Sequence, residues 1–167
     1  MKYTHDQLVK KAIKWLWGQG CAVVISEMAS RSQEPDAIGF CTTYSILVEC
    51  KASRSDFLSD KHKCHQRAEH SMGDQRYYFT AKGLIRPEEL PEKWGLIEPY
   101  GRGFTIVESA GWFQDKSSNM EISLLISSMR RIKGMMPRGT SVKSYYYQTG
   151  NTATLGIKPI ERGEGEG

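Results

Sequence analysis

The chain has 167 residues, 39% of them apolar and 10% aromatic, enough to bury one substantial core and too much for an intrinsically disordered protein. Its net charge of +4 is mildly basic, which permits nucleic-acid binding without requiring it. No run of about 18 apolar residues occurs, and Met1-Lys2-Tyr3-Thr4-His5-Asp6 lacks the apolar stretch of a signal peptide, so a soluble cytoplasmic protein is expected, in a bacterium or a phage-infected host.

Thr4 followed three residues later by Gln7 is a capping-box signal. Leu8, Ala12, Trp15 and Leu16 then recur at helical spacing with Lys10, Lys11 and Lys14 between them, which predicts an amphipathic helix ending near Gly18-Gln19-Gly20. Residues 21–27 read as a buried strand, and 28–34 as a polar loop in which Arg31 is either a phosphate contact or a solvated charge. Residues 36–40 and 44–51 form two β-branched apolar runs separated by turn-tolerant residues, the pattern of an antiparallel hairpin. With Thr42-Thr43 as its loop, Asp36 falls opposite Glu49, and strand alternation sets Glu49 and Lys51 on one face. The four cysteines, at 21, 41, 50 and 64, show no CxxC spacing and read as reduced.

Two facing carboxylates on a half-buried sheet repel each other and are costly unless a cation lies between them. Mg²⁺ answers that need, because it takes oxygen ligands, keeps several waters and is usually held by one or two carboxylates plus a substrate phosphate. A lysine beside it can orient or help deprotonate a water, or neutralise charge that builds on phosphoryl oxygens. The bland alternative for Glu49 and Lys51 is a surface ion pair on an amphipathic strand.

Pro35-Asp36 followed by Glu49-Cys50-Lys51, with a helix before and a helix and strand after, resembles the signature of the PD-(D/E)XK nuclease superfamily. The resemblance covers roughly the first two thirds of the chain. It implies a restriction-endonuclease-like α/β core, a central mixed sheet flanked by helices in the order αβββαβ. It also implies Asp36, Glu49 and the Cys50 backbone carbonyl as metal ligands and Lys51 as the catalytic lysine. Many superfamily members carry a further glutamate on the first helix; here that helix offers only Asp6 in its opening turn. Glu27, at the end of a strand neighbouring the hairpin, is the candidate for that role, against the alternative of a plain strand-end residue.

Ser53-Arg54-Ser55-Asp56 reads as a helix start, with the helix running on toward Gly73. Beginning beside the hairpin, it makes Arg54, Lys61 and Arg67 candidate phosphate contacts. His62, Cys64, His65 and His70 bring zinc to mind, yet zinc ligands arrive as two separated pairs and no second pair follows, so a solvated helix is the preferred reading. Residues 74–80 read as a core strand, with Arg76 a further candidate for DNA contact. Gly83-Leu84-Ile85, Glu88-Glu89-Leu90-Pro91 and Trp94-Gly95-Leu96-Ile97-Glu98 add a likeness to small bacterial and phage-encoded nuclease-like proteins of the same superfamily. Residues 94–98 and 104–108 predict a second hairpin. Residues 120–132 predict a last amphipathic helix with Ile122, Leu125, Ile126 and Met129 on its buried face. The composition changes at Gly134, dividing a nuclease-like domain, 1–133, from a C-terminal extension, 134–167, with a candidate hairpin and a polar tail.

The expectation is therefore a Mg²⁺-dependent DNA endonuclease, with Mn²⁺ as a substitute metal and a homodimer as a candidate assembly. Two rivals stand beside it: a nuclease-fold module that binds DNA or protein without cutting, such as a phage factor that blocks a host enzyme, and an RNA nuclease on the same scaffold.

Overall fold

The computed structural model describes residues 3–28, 34–67 and 71–135, and the side chains of residues 61–67 and 133 lie outside that description. The chain divides into two compact units, Met1–Ser128 and Met129–Gly167. Of the second unit the described part is residues 129–135, the end of the last helix, so the hairpin and tail expected beyond residue 136 lie outside the described residues.

The first unit opens with helix α1, His5–Gly18. The Thr4 hydroxyl accepts the Gln7 N–H at 3.3 Å while the Gln7 side chain accepts the Thr4 N–H at 3.0 Å, so the capping box read from the sequence satisfies two helix-start donors. Leu8, Val9, Ala12, Trp15 and Leu16 form its buried stripe. Strands β1 (Val23–Ser26), β2 (Ala37–Phe40) and β3 (Ser45–Lys51) follow, then α2 (Arg54–Arg67) and β4 (Gln75–Thr80). A short 3-10 turn, Pro87–Glu89, precedes β5 (Gly95–Tyr100), β6 (Gly103–Glu108) and α3 (Ser118–Met135). Among the described residues no helix is long and apolar enough to cross a membrane.

All six strands lie in one mixed sheet in sequence order. β1, β2 and β3 are antiparallel neighbours. Helix α2 then carries the chain back across the sheet, which is why β4 runs parallel to β3. β5 is parallel to β4, and β6 closes the edge as an antiparallel hairpin partner of β5. The sheet has two apolar faces. Under α1 lie Ala37, Ile46, Val48, Cys50, Tyr77, Phe79 and Ile97. On the other face Ile38, Leu47, Tyr78 and Leu96 pack with Phe57 of α2, Phe113, and Met120 and Leu124 of α3. The result is an α/β fold in which helices cover both sides of a mixed sheet.

Two expectations are corrected. Helix α2 is described over Arg54–Arg67, and residues 71–73 are not helical, so it does not run on to Gly73. Gly73 has φ +90°, and a Cβ there would stand 2.6 Å from Leu47 Cβ, so the chain turns where only glycine fits before entering β4. In α3 the inward side is Met120, Glu121 and Leu124, with Ile122 53% and Ile126 45% exposed, where the sequence had put them in the core.

The reason is a buried polar network at the start of β3. The Lys116 ammonium meets Asp74 at 2.5 Å and Glu121 at 3.0 Å. The Ser45 hydroxyl donates to Glu121 at 2.6 Å, and the Gly73 N–H donates to the same carboxylate oxygen at 2.9 Å. Glu121 is thus held inward by three partners, Lys116, Ser45 and Gly73, and the helix presents that side to the sheet.

Candidate active site

β2 and β3 are joined through Thr42-Thr43, closed by the Cys41 N–H donating to the Tyr44 carbonyl at 2.8 Å. Their register pairs Ala37 with Val48 and Ile38 with Leu47; continuing it by one residue sets Asp36 across from Glu49, as the hairpin reading required. Asp36 sits just outside β2, and one of its oxygens accepts the Cys50 N–H at 2.7 Å. Its other oxygen lies 3.3 Å from His5 Nε2, so the first residue of α1 reaches the same place. Glu49 and Lys51 share the sheet face that α2 covers, with Nζ and carboxylate 3.6 Å apart. The ammonium also lies 3.2 Å from Asp60 of α2.

These groups are shielded from water. The side chains of Asp36, Glu49, Lys51 and Asp60 are 18%, 16%, 7% and 20% exposed. Burial, followed by the negative charge of Asp36, pushes the Glu49 carboxyl up to about 8, with Lys51 pulling the other way. Burial also raises Asp36, offset in part by the Cys50 N–H, His5 and Lys51. For Lys51 burial opposes the charge, but Glu49, then Asp60 and Asp36, outweigh it and hold the ammonium above its ordinary value. The cluster is three carboxylates around one lysine, a place where negative charge is in excess and poorly solvated.

Such a donor set fits a hard divalent cation. Its oxygens are the kind Mg²⁺ takes, and Glu49 is raised first by burial and then by the neighbouring Asp36. Among the described residues no group of three or more His, Cys, Asp and Glu side chains is arranged to hold a metal. Asp36 and Glu49 are the two carboxylates that would hold such an ion.

Glu27, the candidate additional acid, is exposed at the end of β1 with φ 50°, and its N–H donates to the carbonyls of Pro35 at 3.2 Å and Asp36 at 3.3 Å. Its backbone is thus bound beside Asp36, and its charge is felt at Cys50. Arg54 lies at the start of α2, but its guanidinium forks onto both carboxylate oxygens of Glu89 and bonds the Leu84 carbonyl at 3.1 Å. Arg54 is the main reason Glu89 is pushed down to about 2, so the arginine is committed to fixing the turn after β4. Arg31 lies outside the described residues, as do the side chains of Lys61 and Arg67 on α2.

Arg76 is a correction. It is 1% exposed, its Nε bonds the Met72 carbonyl at 3.0 Å, its Nη2 bonds the Ser71 carbonyl at 3.1 Å, and the guanidinium stacks 3.9 Å over the Phe113 ring. A group so enclosed does not reach a nucleic-acid backbone; it braces the approach to β4. Arg76→Met should therefore leave orphaned buried carbonyls, at about 1–3 kcal/mol each, and appear as a lower Tm in calorimetry with no specific change in DNA affinity of the folded fraction.

The sequence reading missed His5 and Asp60. Asp60 had a legible signal, since it lies one helical turn after Phe57, whose side chain is fully buried against the sheet. His5 had the weaker one of standing one turn before buried Leu8 and Val9.

No protein-family model and no curated protein matches the chain. A solved structure does: a protein of unknown function from Silicibacter pomeroyi, at 21% identity, with a TM-score of 0.60 over 86% of this chain and 100% of that one. The chain therefore shares its overall α/β fold with that protein, and at this identity the likeness extends to the fold alone.

Proposed function

We propose that this chain is a Mg²⁺-dependent deoxyribonuclease with a restriction-endonuclease-like core of the PD-(D/E)XK kind. The observation that carries the reading is the convergence of Asp36 and Glu49, opposed across the β2–β3 hairpin, with the Lys51 ammonium 3.6 Å from Glu49 in a site almost closed to water. The element order α1-β1-β2-β3-α2-β4, with β3 and β4 parallel, supports it.

Asp36 and Glu49, with the Cys50 carbonyl by the resemblance, would hold the metal. When bound, the ion supplies charge neutralisation at a phosphoryl oxygen and lowers the pKa of a bound water. This chain's own residues do the rest. Asp36 is fixed by the Cys50 N–H and by His5, so one carboxylate keeps its orientation without substrate. Lys51, held as an ammonium, donates to phosphoryl oxygens as they gain charge in the transition state, and its burial makes that interaction stronger than it would be in water.

The reading is tested by incubating the purified chain with supercoiled plasmid, linear duplex and RNA in Mg²⁺, Mn²⁺ or EDTA. Cleavage of DNA with either metal and none in EDTA is the expected result; inertness toward every substrate at high metal would overturn it. The second reading is a non-cutting binding module on the same fold. Binding without cleavage in the same assay is its signature.

A further inference from the structure

Lys51 has its shortest carboxylate contact with a residue outside the hairpin. Asp60 Oδ2 lies 3.2 Å from the ammonium, against 3.6 Å for Glu49. The same Asp60 oxygen accepts the Tyr78 hydroxyl at 3.4 Å. Tyr78 is fully buried, stacked on Trp94 at 4.5 Å and edge-on to Phe57 at 5.2 Å, and Phe57 stands one helical turn before Asp60. The carboxylate is therefore held from two sides, by its own helix through Phe57 and by β4 through Tyr78. The ammonium lies 6.0 Å from the centre of the same Tyr78 ring.

We propose that Asp60 is a positioning residue for Lys51, holding its ammonium off Glu49 so that both charges stay available to a substrate. The geometry explains why the pairing is needed. A lysine flanked by a carboxylate of its own strand two residues away closes on that carboxylate unless something opposes it, and a closed pair removes Glu49 from metal binding and Lys51 from the phosphate together. Asp60 opposes it from across the site, on helix α2, whose Phe57 packs in one apolar cluster with Ile38 and Leu47. The pairing stands on the structure alone, while its catalytic consequence rests on the nuclease reading above.

The test uses the full-length protein and two readouts. In ¹H–¹⁵N spectra at neutral pH, the paired ammonium should give a slowly exchanging Lys51 Nζ signal, identified by its loss in Lys51→Met; Asp60→Ala should abolish it and Asp60→Asn, which keeps an acceptor, should weaken it. In cleavage assays Asp60→Ala should lower kcat about a hundredfold with KM changed by no more than about twofold, Asp60→Asn should fall between it and the wild type, and Asp60→Ala should add nothing in a Lys51→Met background. If Asp60→Ala does not fold, Asp60→Asn carries both readouts. Survival of the ammonium signal without the Asp60 carboxylate, or equal slowing by the Asp60 change with and without Lys51, overturns the proposal. Inertness of the wild type toward every substrate would instead sink the nuclease reading, and the ammonium signal would still decide the pairing.

Discussion

In EDTA, Glu49→Gln should make the protein more stable than the wild type at pH 8 and leave it little changed at pH 4.5. The sign follows from the raised carboxyl. An unfolded Glu49 loses its proton near its ordinary 4.5, whereas in the fold it keeps the proton up to about 8 because burial and Asp36 disfavour the charge. The stabilisation tied to that proton is fully present below 4.5 and is lost as pH rises through 8. Asp36, raised by burial, contributes in the same direction from a lower pH, while Lys51, raised above its ordinary value, gives no slope in this window. The wild-type loss between the two limits is on the order of a few kcal/mol, or roughly 5–10 °C in Tm for a chain of this size. Glutamine has the shape without the titration, so its curve should be flatter. Scanning calorimetry from pH 4.5 to 9 reads the difference directly, and superimposable curves for the two proteins would mean that Glu49 ionises normally. Adding Mg²⁺ should reverse the order: the wild type gains stability, more at pH 8 than at pH 5, because the ion needs the ionised carboxylate. Glu49→Gln should gain far less.

The second large effect is on the chemistry. Asp36→Ala and Lys51→Ala should each reduce the DNA cleavage rate by about 10³-fold, the scale expected when a charged group facing the transition state is removed from a water-poor site. The two changes should differ in other respects. Asp36→Ala takes away one carboxylate and the acceptor of the Cys50 N–H, so it should weaken the Mg²⁺-induced rise in Tm as well as the rate. Lys51→Ala leaves Asp36 and Glu49 in place and should keep most of the metal response while losing turnover. Plasmid cleavage and thermal shift on the same preparations separate the two, and full activity in both variants would refute the site.

Much of the arrangement around Asp36 was legible in the sequence because a strand's period is two and a hairpin's loop fixes its register. Once Thr42-Thr43 is the turn, the pairing of residues 36 and 49 follows by counting, and the β2–β3 ladder has that register. Helix α1 was equally readable, since its cap and its stripe of Leu8, Ala12, Trp15 and Leu16 agree. Arg76 was not, because a charge alternating with aromatics in a strand looks the same whether it faces water or a ring of backbone carbonyls. The buried side of α3 was misjudged for a related reason: apolar residues occur on two sides of the helix, and the side that turns inward is chosen by Glu121, whose partners Lys116, Ser45 and Gly73 come from distant parts of the chain. For Asp60 the spacing from Phe57 indicated its side of α2, while the packing of α2 onto the sheet decides which of the helix's several acids meets Lys51.

The two ends of β3 are built on opposite electrostatic terms. At Ser45 every carboxylate has a cation or a donor to rest on, Lys116 sitting between Asp74 and Glu121. At Glu49 and Lys51 the acids outnumber the positive charge. The strand thus works like a cantilever, clamped where each acid rests on partners and loaded at its other end. The loaded end can be altered without unseating the anchor, so variants changed at Glu49 or Lys51 should keep the Lys116 clamp.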